Sequence, residues 1–178
     1  MLYDWLVLIA VSPWLFWLCR SDWKFRLLPN ALTLGGLAAI LVFRLGFGIS
    51  WFLDGLGGMA LCGAFLLLPV LFRAAGAGDL KMIAACGAAA GMHRSLDFLL
   101  ITALAGLALV LIMLAFHAAD GARLRHYARC LFDWRYDRKK GRASLPPEDA
   151  EKVRVPFGIA IATGLWIVLL WNCIENLQ

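Results

Sequence analysis

Charged residues are scarce in this chain of 178 residues. Lys, Arg, Asp and Glu make up 16% of it, whereas soluble domains carry about 25%. Hydrophobic residues make up 62%, and the mean hydropathy is +0.78. A globule of this size cannot hide so much apolar surface from water. The composition therefore predicts an integral membrane protein, with a single domain over residues 1–178.

Cysteine pairs and metal-ligand clusters are also missing. Five cysteines lie at positions 19, 62, 86, 130 and 173, and no two of them form a CxxC pair. We therefore interpret them as small buried hydrophobic residues rather than zinc ligands or a disulfide scaffold. The three histidines, His93, His117 and His126, have no ligand spacing, so we expect no metal and no other cofactor.

A cleavable signal peptide is not indicated either. The apolar residues 1–19 lack a basic start, and Arg20, Asp22 and Lys24 follow them where a small-residue cleavage site would stand. We interpret this stretch as a retained first membrane span.

Six apolar stretches approach the length of about 20 residues that a membrane span needs. They are Tyr3–Cys19, Ala31–Ile49, Asp54–Phe72, Leu80–Met92, Leu96–His117 and Val155–Cys173. The fourth would rise only about 20 Å, so it begins inside the membrane, continues N-terminally through Asp79, or is re-entrant. Its Gly87 and Gly91 have the GxxxG spacing that lets helices approach, within the bundle or in a dimer. The predicted fold is an all-α, polytopic bundle of about six transmembrane helices.

Basic residues set the predicted orientation. With both termini outside, 15 of the 17 Lys and Arg residues face the cytoplasm, as the positive-inside rule favours. Ten of them lie in segment 118–154, which we interpret as a basic amphipathic segment on the inner leaflet. It is either a lipid-facing surface helix or an element that docks substrate. Despite the net charge of +5, the expected partner of these residues is the bilayer and not nucleic acid.

Acids at membrane depth require an explanation, because burying one there costs about 2.5–3.5 kcal/mol. Four acids stand at the edges of spans: Asp22, Asp54, Asp79 and Asp97. Asp54 and Asp97 each precede an apolar run, so we predict that they are helix N-caps on the outer side. Asp22 ends the first span and Asp79 begins the fourth, so the predicted topology brings both to the inner face. Two carboxylates close together in a poorly hydrated site tend to share one proton, which is the state that a water-activating aspartyl pair needs.

Both of these acids have distinctive neighbours. Asp79 ends the sequence Gly76-Ala77-Gly78-Asp79. Glycine permits positive φ and leaves no side chain in the way, so an extended peptide could approach the carboxylate; a tight turn between two spans is the ordinary alternative. Asp22 is followed by a Leu-Pro-Asn-Ala-Leu-Thr run at 28–33, in which Pro29 interrupts the helix and Asn30 is predicted to cap the next one.

These stretches resemble the GxGD aspartyl proteases of membranes. Among them the chain is most similar to the prepilin peptidases, in the short form found with tight-adherence (Tad/Flp) pili. Three stretches carry the match: residues 22–33, residues 76–82 and the Val-Pro-Phe-Gly-Ile-Ala run at 155–160. The resemblance implies that Asp22 and Asp79 are the catalytic acids. The residues expected to shape the substrate cleft are Gly76, Gly78, Pro29, Asn30, Lys81, Pro156, Phe157 and Gly158. For Lys81 the simplest interpretation is that it reaches the inner headgroups.

The resemblance also implies an activity. It is the removal of a short basic leader from prepilins or pseudopilins at the cytoplasmic face of the bacterial inner membrane, in support of type IV pilus or type II secretion assembly. Larger relatives carry a CxxC-bearing insertion associated with N-methylation; the loop from Arg20 to Asn30 is too short for one, so no methyltransferase activity is expected. Two alternatives remain open. One is a transporter or assembly subunit that uses its acids as a proton relay, and the other is a GxGD protease acting on a remnant signal peptide or an archaeal preflagellin.

Overall fold

The computed structural model describes residues 2–25, 28–71, 75–115 and 156–176. Within these ranges the protein is all-helical. The helices in chain order are α1 (Leu2–Phe25), α2 (Asn30–Gly46), α3 (Ile49–Leu71), α4 (Ala77–Ala90), α5 (Ser95–Ala115) and α6 (Phe157–Glu175). Each of the six predicted spans corresponds to one helix, which confirms the predicted fold class. The predicted amphipathic segment 118–154 lies outside the described residues.

The helices carry the apolar surface of a membrane protein. By length and composition α3, α5 and α6 are able to cross a membrane, and α2 is a shorter apolar helix. Large side chains on their outer faces, such as Leu68, Leu100 and Trp171, are more than half exposed. A surface of this kind suits hydrocarbon and not water. That α1, α2 and α4 also cross the membrane stays a prediction.

The chain forms two compact units. The first comprises residues 1–107 and 156–178, and the second comprises residues 108–155. The described part of the second unit is the C-terminal end of α5. All the contacts considered below lie within the first unit. The predicted single domain over residues 1–178 stays a prediction.

Helix α4 lies among three others, because it packs against α2, α3 and α6. Its buried residues are mostly small: Met82, Ile83, Ala85, Cys86, Gly87, Ala88 and Ala89. Gly87 faces α3 so closely that a Cβ on Gly58 would collide with the Gly87 carbonyl oxygen. Gly91 instead ends α4, with φ of +82°. The GxxxG spacing thus serves the packing of α3 on α4 and the termination of α4.

The positions of two acids differ from the prediction. Asp54 is not an N-cap, because α3 begins at Ile49 and Asp54 lies in its second turn. Asp97 lies inside the first turn of α5 rather than before it, where it pairs with Arg94. A cap prediction based on the start of an apolar run fails here because each helix begins ahead of that run. Helix α4 runs N-terminally through Asp79, which is one of the three alternatives considered for the short fourth span.

A polar cluster joins α2, α3 and α4 at the end where α2 finishes. The Arg44 side chain is 3% exposed and forms an ion pair with Asp54. Its Nε donates to Trp51 O at 2.8 Å, and its Nη1 donates to Ala89 O at 3.1 Å. Asp54 Oδ1 in turn accepts a hydrogen bond from the N–H of Met92 at 3.0 Å. The two charges therefore bind backbone groups near the start of α3 and the end of α4, and Ala89 O is one of the last carbonyls of α4, which have no donor within their own helix.

Replacing Gly58 by Ala tests the close approach of α3 and α4. The new Cβ would meet the backbone of Gly87 and Gly91, and backbone cannot move aside as a side chain can. We expect a loss of about 1–3 kcal/mol in the free energy of unfolding, measured by denaturant titration in detergent micelles. Gly63→Ala is the matched control, because a Cβ there would lie 3.7 Å from the Ala84 Cβ, an ordinary contact. Equal stability of the two variants would contradict the packing described.

Replacing Arg44 by Met tests the polar cluster. The change leaves the partly buried Asp54 carboxylate without its cation and removes the side-chain donor to Trp51 O and Ala89 O. Since the Asp54 side chain is 26% exposed, we expect a loss near the lower end of the range for broken buried ion pairs, about 3 kcal/mol. The double variant Arg44→Met/Asp54→Leu should recover part of the stability, because it removes the unpaired charge. If Arg44→Met unfolds at the wild-type denaturant concentration, the cluster does not stabilise the bundle.

Candidate functional site

Asp22 lies in the last turn of α1 and is almost fully buried, with 6% of its surface exposed. Its Oδ2 accepts a hydrogen bond from the backbone N–H of Gly158 at 2.8 Å. Gly158 is the second residue of α6, and the N-cap of α6, Pro156, makes no side-chain cap bond. The first N–H groups of a helix need acceptors from outside that helix. Asp22 supplies one of these acceptors from α1.

The Pro-Phe-Gly run at the start of α6 fits closely around this contact. Pro156 is fully buried, and the Phe157 ring packs so tightly on α5 that a Cβ on Gly106 would lie 2.9 Å from the Phe157 Cε2. A Cβ on Gly158 would lie 2.8 Å from Asp22 Oδ2. Glycine at 158 therefore allows the carboxylate to reach the backbone N–H.

Asp79 also lies at a helix N-terminus, in this case that of its own helix, α4. It is the third residue of α4 and is half-buried, and its carboxylate accepts a hydrogen bond from the backbone N–H of Gly76. Gly76 is the N-cap of α4, so this bond is the acidic half of a capping box. Both acids thus sit at helix N-termini, whose partial positive charge favours a carboxylate.

The two carboxylates are close enough for the charge of Asp22 to act on Asp79. They stand on α1 and α4, and both of these helices pack against α2 and α6. Residues far apart in the sequence therefore converge at one end of the bundle, where α1 finishes and α2, α4 and α6 begin. The predicted convergence of the two acids is present; their catalytic role stays a prediction.

The two glycines near Asp79 do not adopt the positive φ that the sequence suggested. Gly76 has φ of −81° and Gly78 lies within α4; among the described glycines, positive φ occurs at Gly48 and Gly91. What glycine provides here is space. A Cβ on Gly76 would lie 3.0 Å from Asp79 Oδ2, and one on Gly78 would lie 3.3 Å from the Leu28 Cβ.

The Pro-Asn pair opens α2 next to these glycines. Pro29 is the N-cap of α2 and Asn30 is its first residue, without a side-chain cap bond, so the predicted capping role of Asn30 is wrong. The Asn30 side chain instead accepts a hydrogen bond from Lys81, with 2.7 Å between Nζ and Oδ1. Lys81, which we expected to reach the headgroups, has a partner within the protein.

Sequence reasoning missed one residue that supports this end of the bundle. Trp14 Nε1 donates to Leu32 O at 2.8 Å, which ties α1 to the first turns of α2. The indole lies so close to Gly36 that a Cβ there would overlap it. The pattern that could have indicated this contact is a glycine pair, Gly35-Gly36, inside an apolar helix.

Two cavities lie away from the acids. One, of about 250 Å³, is lined by residues of α1, α2 and α4, including Val11, Ile40 and Arg44. The other, of about 320 Å³, is bounded by Arg94, Trp171 and neighbouring residues of α5 and α6. Neither includes Asp22 or Asp79. Within the described ranges, no three His, Cys, Asp or Glu side chains lie close enough together to hold a metal ion.

Comparison with known proteins gives one family. The model of the type IV leader peptidase family matches residues 9–111, which is more than half of the chain. The matched range includes both acids, both glycines next to Asp79 and the Pro-Asn pair; the Pro-Phe-Gly run lies beyond it. No curated protein and no solved structure matches the chain.

Proposed function

Since the chain belongs to the type IV leader peptidase family, we propose that it is a membrane-embedded aspartic endopeptidase with Asp22 and Asp79 as its catalytic acids. Its substrates are prepilins or pseudopilins, whose basic leader it removes at the cytoplasmic face of the inner membrane. The activity would support assembly of a type IV pilus of the Tad/Flp kind or of a type II secretion system. The observation that carries the proposal is the convergence of the two carboxylates at one end of the bundle.

The reaction needs one ionised and one protonated carboxylate. The ionised one takes a proton from water while the water oxygen bonds to the scissile carbonyl carbon, and the protonated one gives its proton to the carbonyl oxygen. When the tetrahedral intermediate collapses, the C–N bond breaks and the leaving nitrogen takes the proton gained from water. The hydroxyl proton then returns to the second acid. Both aspartates end in their starting states, so no cofactor is required.

The surroundings of Asp79 suit an extended peptide. A helical substrate hides its carbonyls in its own hydrogen bonds, so the scissile bond has to be unwound before water can attack. Gly76 is exposed, and neither it nor Gly78 has a side chain that would block the carboxylate. A prepilin is a substrate of this kind, because its scissile bond lies where the basic leader joins an apolar helix.

The distribution of charge supports the proposed orientation. Three basic residues of the described chain lie at the end that holds the acids: Arg20, Lys24 and Lys81. At the opposite end Arg44 pairs with Asp54, and Arg94 pairs with Asp97 and Glu175. The end with the acids thus has an excess of basic residues, as cytoplasmic ends do. We propose that both termini are periplasmic, and that the enzyme has no methyltransferase activity, since the chain contains no CxxC.

Asp22→Asn and Asp79→Asn test the assignment of the acids. Each keeps the size of the side chain but cannot cycle a proton, so we expect kcat/KM for prepilin cleavage to fall by about 10²–10⁴-fold or more. Purified protein in detergent is mixed with a prepilin, and the new N-terminus is identified by mass spectrometry. Asp97→Asn is the matched control, because Asp97 is exposed at the opposite end. Cleavage at the wild-type rate by either test variant would remove that residue from the site.

The same assay separates the alternative substrates. A preflagellin and a remnant signal peptide are offered in parallel with the prepilin. Cleavage of the prepilin at the end of its basic leader supports the proposal. If only the preflagellin or only the remnant signal peptide is cleaved, the assignment as an aspartic peptidase stands and the proposed substrate changes. Failure to cleave all three, with folded protein, would favour the proton-relay alternative.

Gly158→Ala tests the contact that holds Asp22. The added Cβ would crowd Asp22 Oδ2 and displace the carboxylate from the N–H of Gly158. A misplacement of about 1 Å at a reacting group can cost about 10²-fold in rate, so we expect kcat to fall by roughly 10- to 100-fold in the cleavage assay. Gly35→Ala is the control, because a Cβ there meets nothing within 4 Å. Wild-type kcat in Gly158→Ala would mean that this hydrogen bond does not position the acid.

A further inference from the structure

The hydrogen bond between Lys81 and Asn30 joins the N-terminal part of α4 to the first turn of α2. Lys81 Nζ lies 2.7 Å from Asn30 Oδ1, and Lys81 follows Asp79 by two residues. On a helix this spacing points the two side chains in different directions. Lys81 thus reaches α2, while the Asp79 carboxylate turns back to the N–H of Gly76 and is close enough to feel the charge of Asp22. The bond restrains a long side chain that would otherwise keep its rotamer freedom in solvent.

A second contact joins the same two segments on the other side of Asp79. Leu28 packs against Gly78, where a Cβ would lie 3.3 Å from the Leu28 Cβ. Gly78 directly precedes Asp79, so the segment 28–30 contacts α4 both before and after the acid. Asp79 is therefore held in the turn that this segment restrains.

The start of α2 is itself well fixed. Thr33 is fully buried, and its hydroxyl lies 3.3 Å from Pro29 O and from Asn30 O, while its backbone N–H donates to Pro29 O at 3.1 Å. One residue earlier, Leu32 O accepts the hydrogen bond from the indole of Trp14 on α1. The first turn of α2 thus connects the helix that carries Asp22 with the helix that carries Asp79.

We propose that Lys81 is a positioning residue: through its hydrogen bond to Asn30 it holds the first turn of α4 against α2 and so sets the separation between Asp79 and Asp22. The proposal rests on the proposed function, since it assigns a role to a residue beside the same acids. Lys81 does not exchange a proton with the substrate. Two other roles predict different results. A lysine that binds headgroups would not depend on Asn30, and a lysine that binds substrate would act on KM.

The test compares Lys81→Met, Asn30→Ala, the double variant and Asn30→Asp in the cleavage assay. Methionine keeps the length of the lysine stem without its donors, and aspartate at position 30 keeps an acceptor for Lys81. We expect each single variant to lower kcat about 10-fold with KM changed less than about two-fold. The double variant should be no slower than the slower single variant, because both remove the same bond. Asn30→Asp should be faster than Asn30→Ala, because its side chain still accepts the hydrogen bond from Lys81.

A readout independent of activity accompanies the kinetics. Cysteines placed at positions 22 and 79 are cross-linked with a short bifunctional maleimide, and the linked peptide is quantified by mass spectrometry with and without Lys81→Met. Slower cross-linking in Lys81→Met is expected, because the two positions no longer hold their separation. Arg94→Met is the matched control: it also removes a cation with a side-chain acceptor, Glu175, at the opposite end, and should change neither readout.

The outcomes distinguish this proposal from the proposed function. If Asp22→Asn and Asp79→Asn are inactive while Lys81→Met keeps wild-type kcat and cross-linking, the positioning role alone is overturned. Multiplicative losses in the double variant, or a rise in KM confined to Lys81→Met, would also overturn it. If the wild-type protein cleaves none of the substrates, the proposed function fails, and the cross-linking rate still decides whether Lys81 sets the separation.

Discussion

A buried hydrogen bond between Asp22 and the N–H of Gly158 links parts of the chain that are 136 residues apart. It satisfies two needs at once. The start of α6 lacks a side-chain cap, and a carboxylate with 6% exposure needs donors. Because the N–H of Gly158 is the donor for Asp22 and the carboxylate of Asp22 is the acceptor for this N–H, the contact fixes α1 and α6 relative to each other. The site at the end of α1 depends on this contact, since α6 also packs against the helix that carries Asp79.

The two ends of the bundle use polar residues in different ways. At one end the charged side chains hold helices together: Arg44 and Asp54 bind each other and the backbone of α3 and α4. At the other end each acid accepts a hydrogen bond from an N–H group at a helix N-terminus, and the charge of Asp22 acts on Asp79. A cluster that completes its own hydrogen bonds stabilises a fold, whereas an acid beside a second acid is suited to proton transfer. This difference, more than the number of charges, separates the supporting end from the candidate site.

Much of the architecture could be predicted from the sequence, because apolar runs in a charge-poor chain specify helices whatever their neighbours are. The convergence of Asp22 and Asp79 followed from helix count and orientation alone. The hydrogen bonds could not be predicted in the same way. Asp54 looks like an N-cap in sequence because it precedes an apolar run, but its partner Arg44 stands on another helix. Gly76 and Gly78 suggest unusual backbone angles, and only the packing of Leu28 and Asp79 shows that space is what they provide.

The length of α4 has a consequence for how water reaches the acids. Its 14 residues rise about 21 Å, well short of the roughly 30 Å of hydrocarbon in a bilayer. The deficit does not strain the surrounding lipid, because α2, α3 and α6 pack around α4. It is instead absorbed inside the protein, where Arg44 and Asp54 complete the C-terminal end of α4. Under the proposed topology, with the C-terminal end of α4 held by Arg44 and Asp54, the N-terminal end that carries Asp79 would lie below the level of the headgroups. Solvent at that depth would allow the proposed peptidase to hydrolyse a membrane-anchored peptide without its apolar helix being lifted out of the lipid.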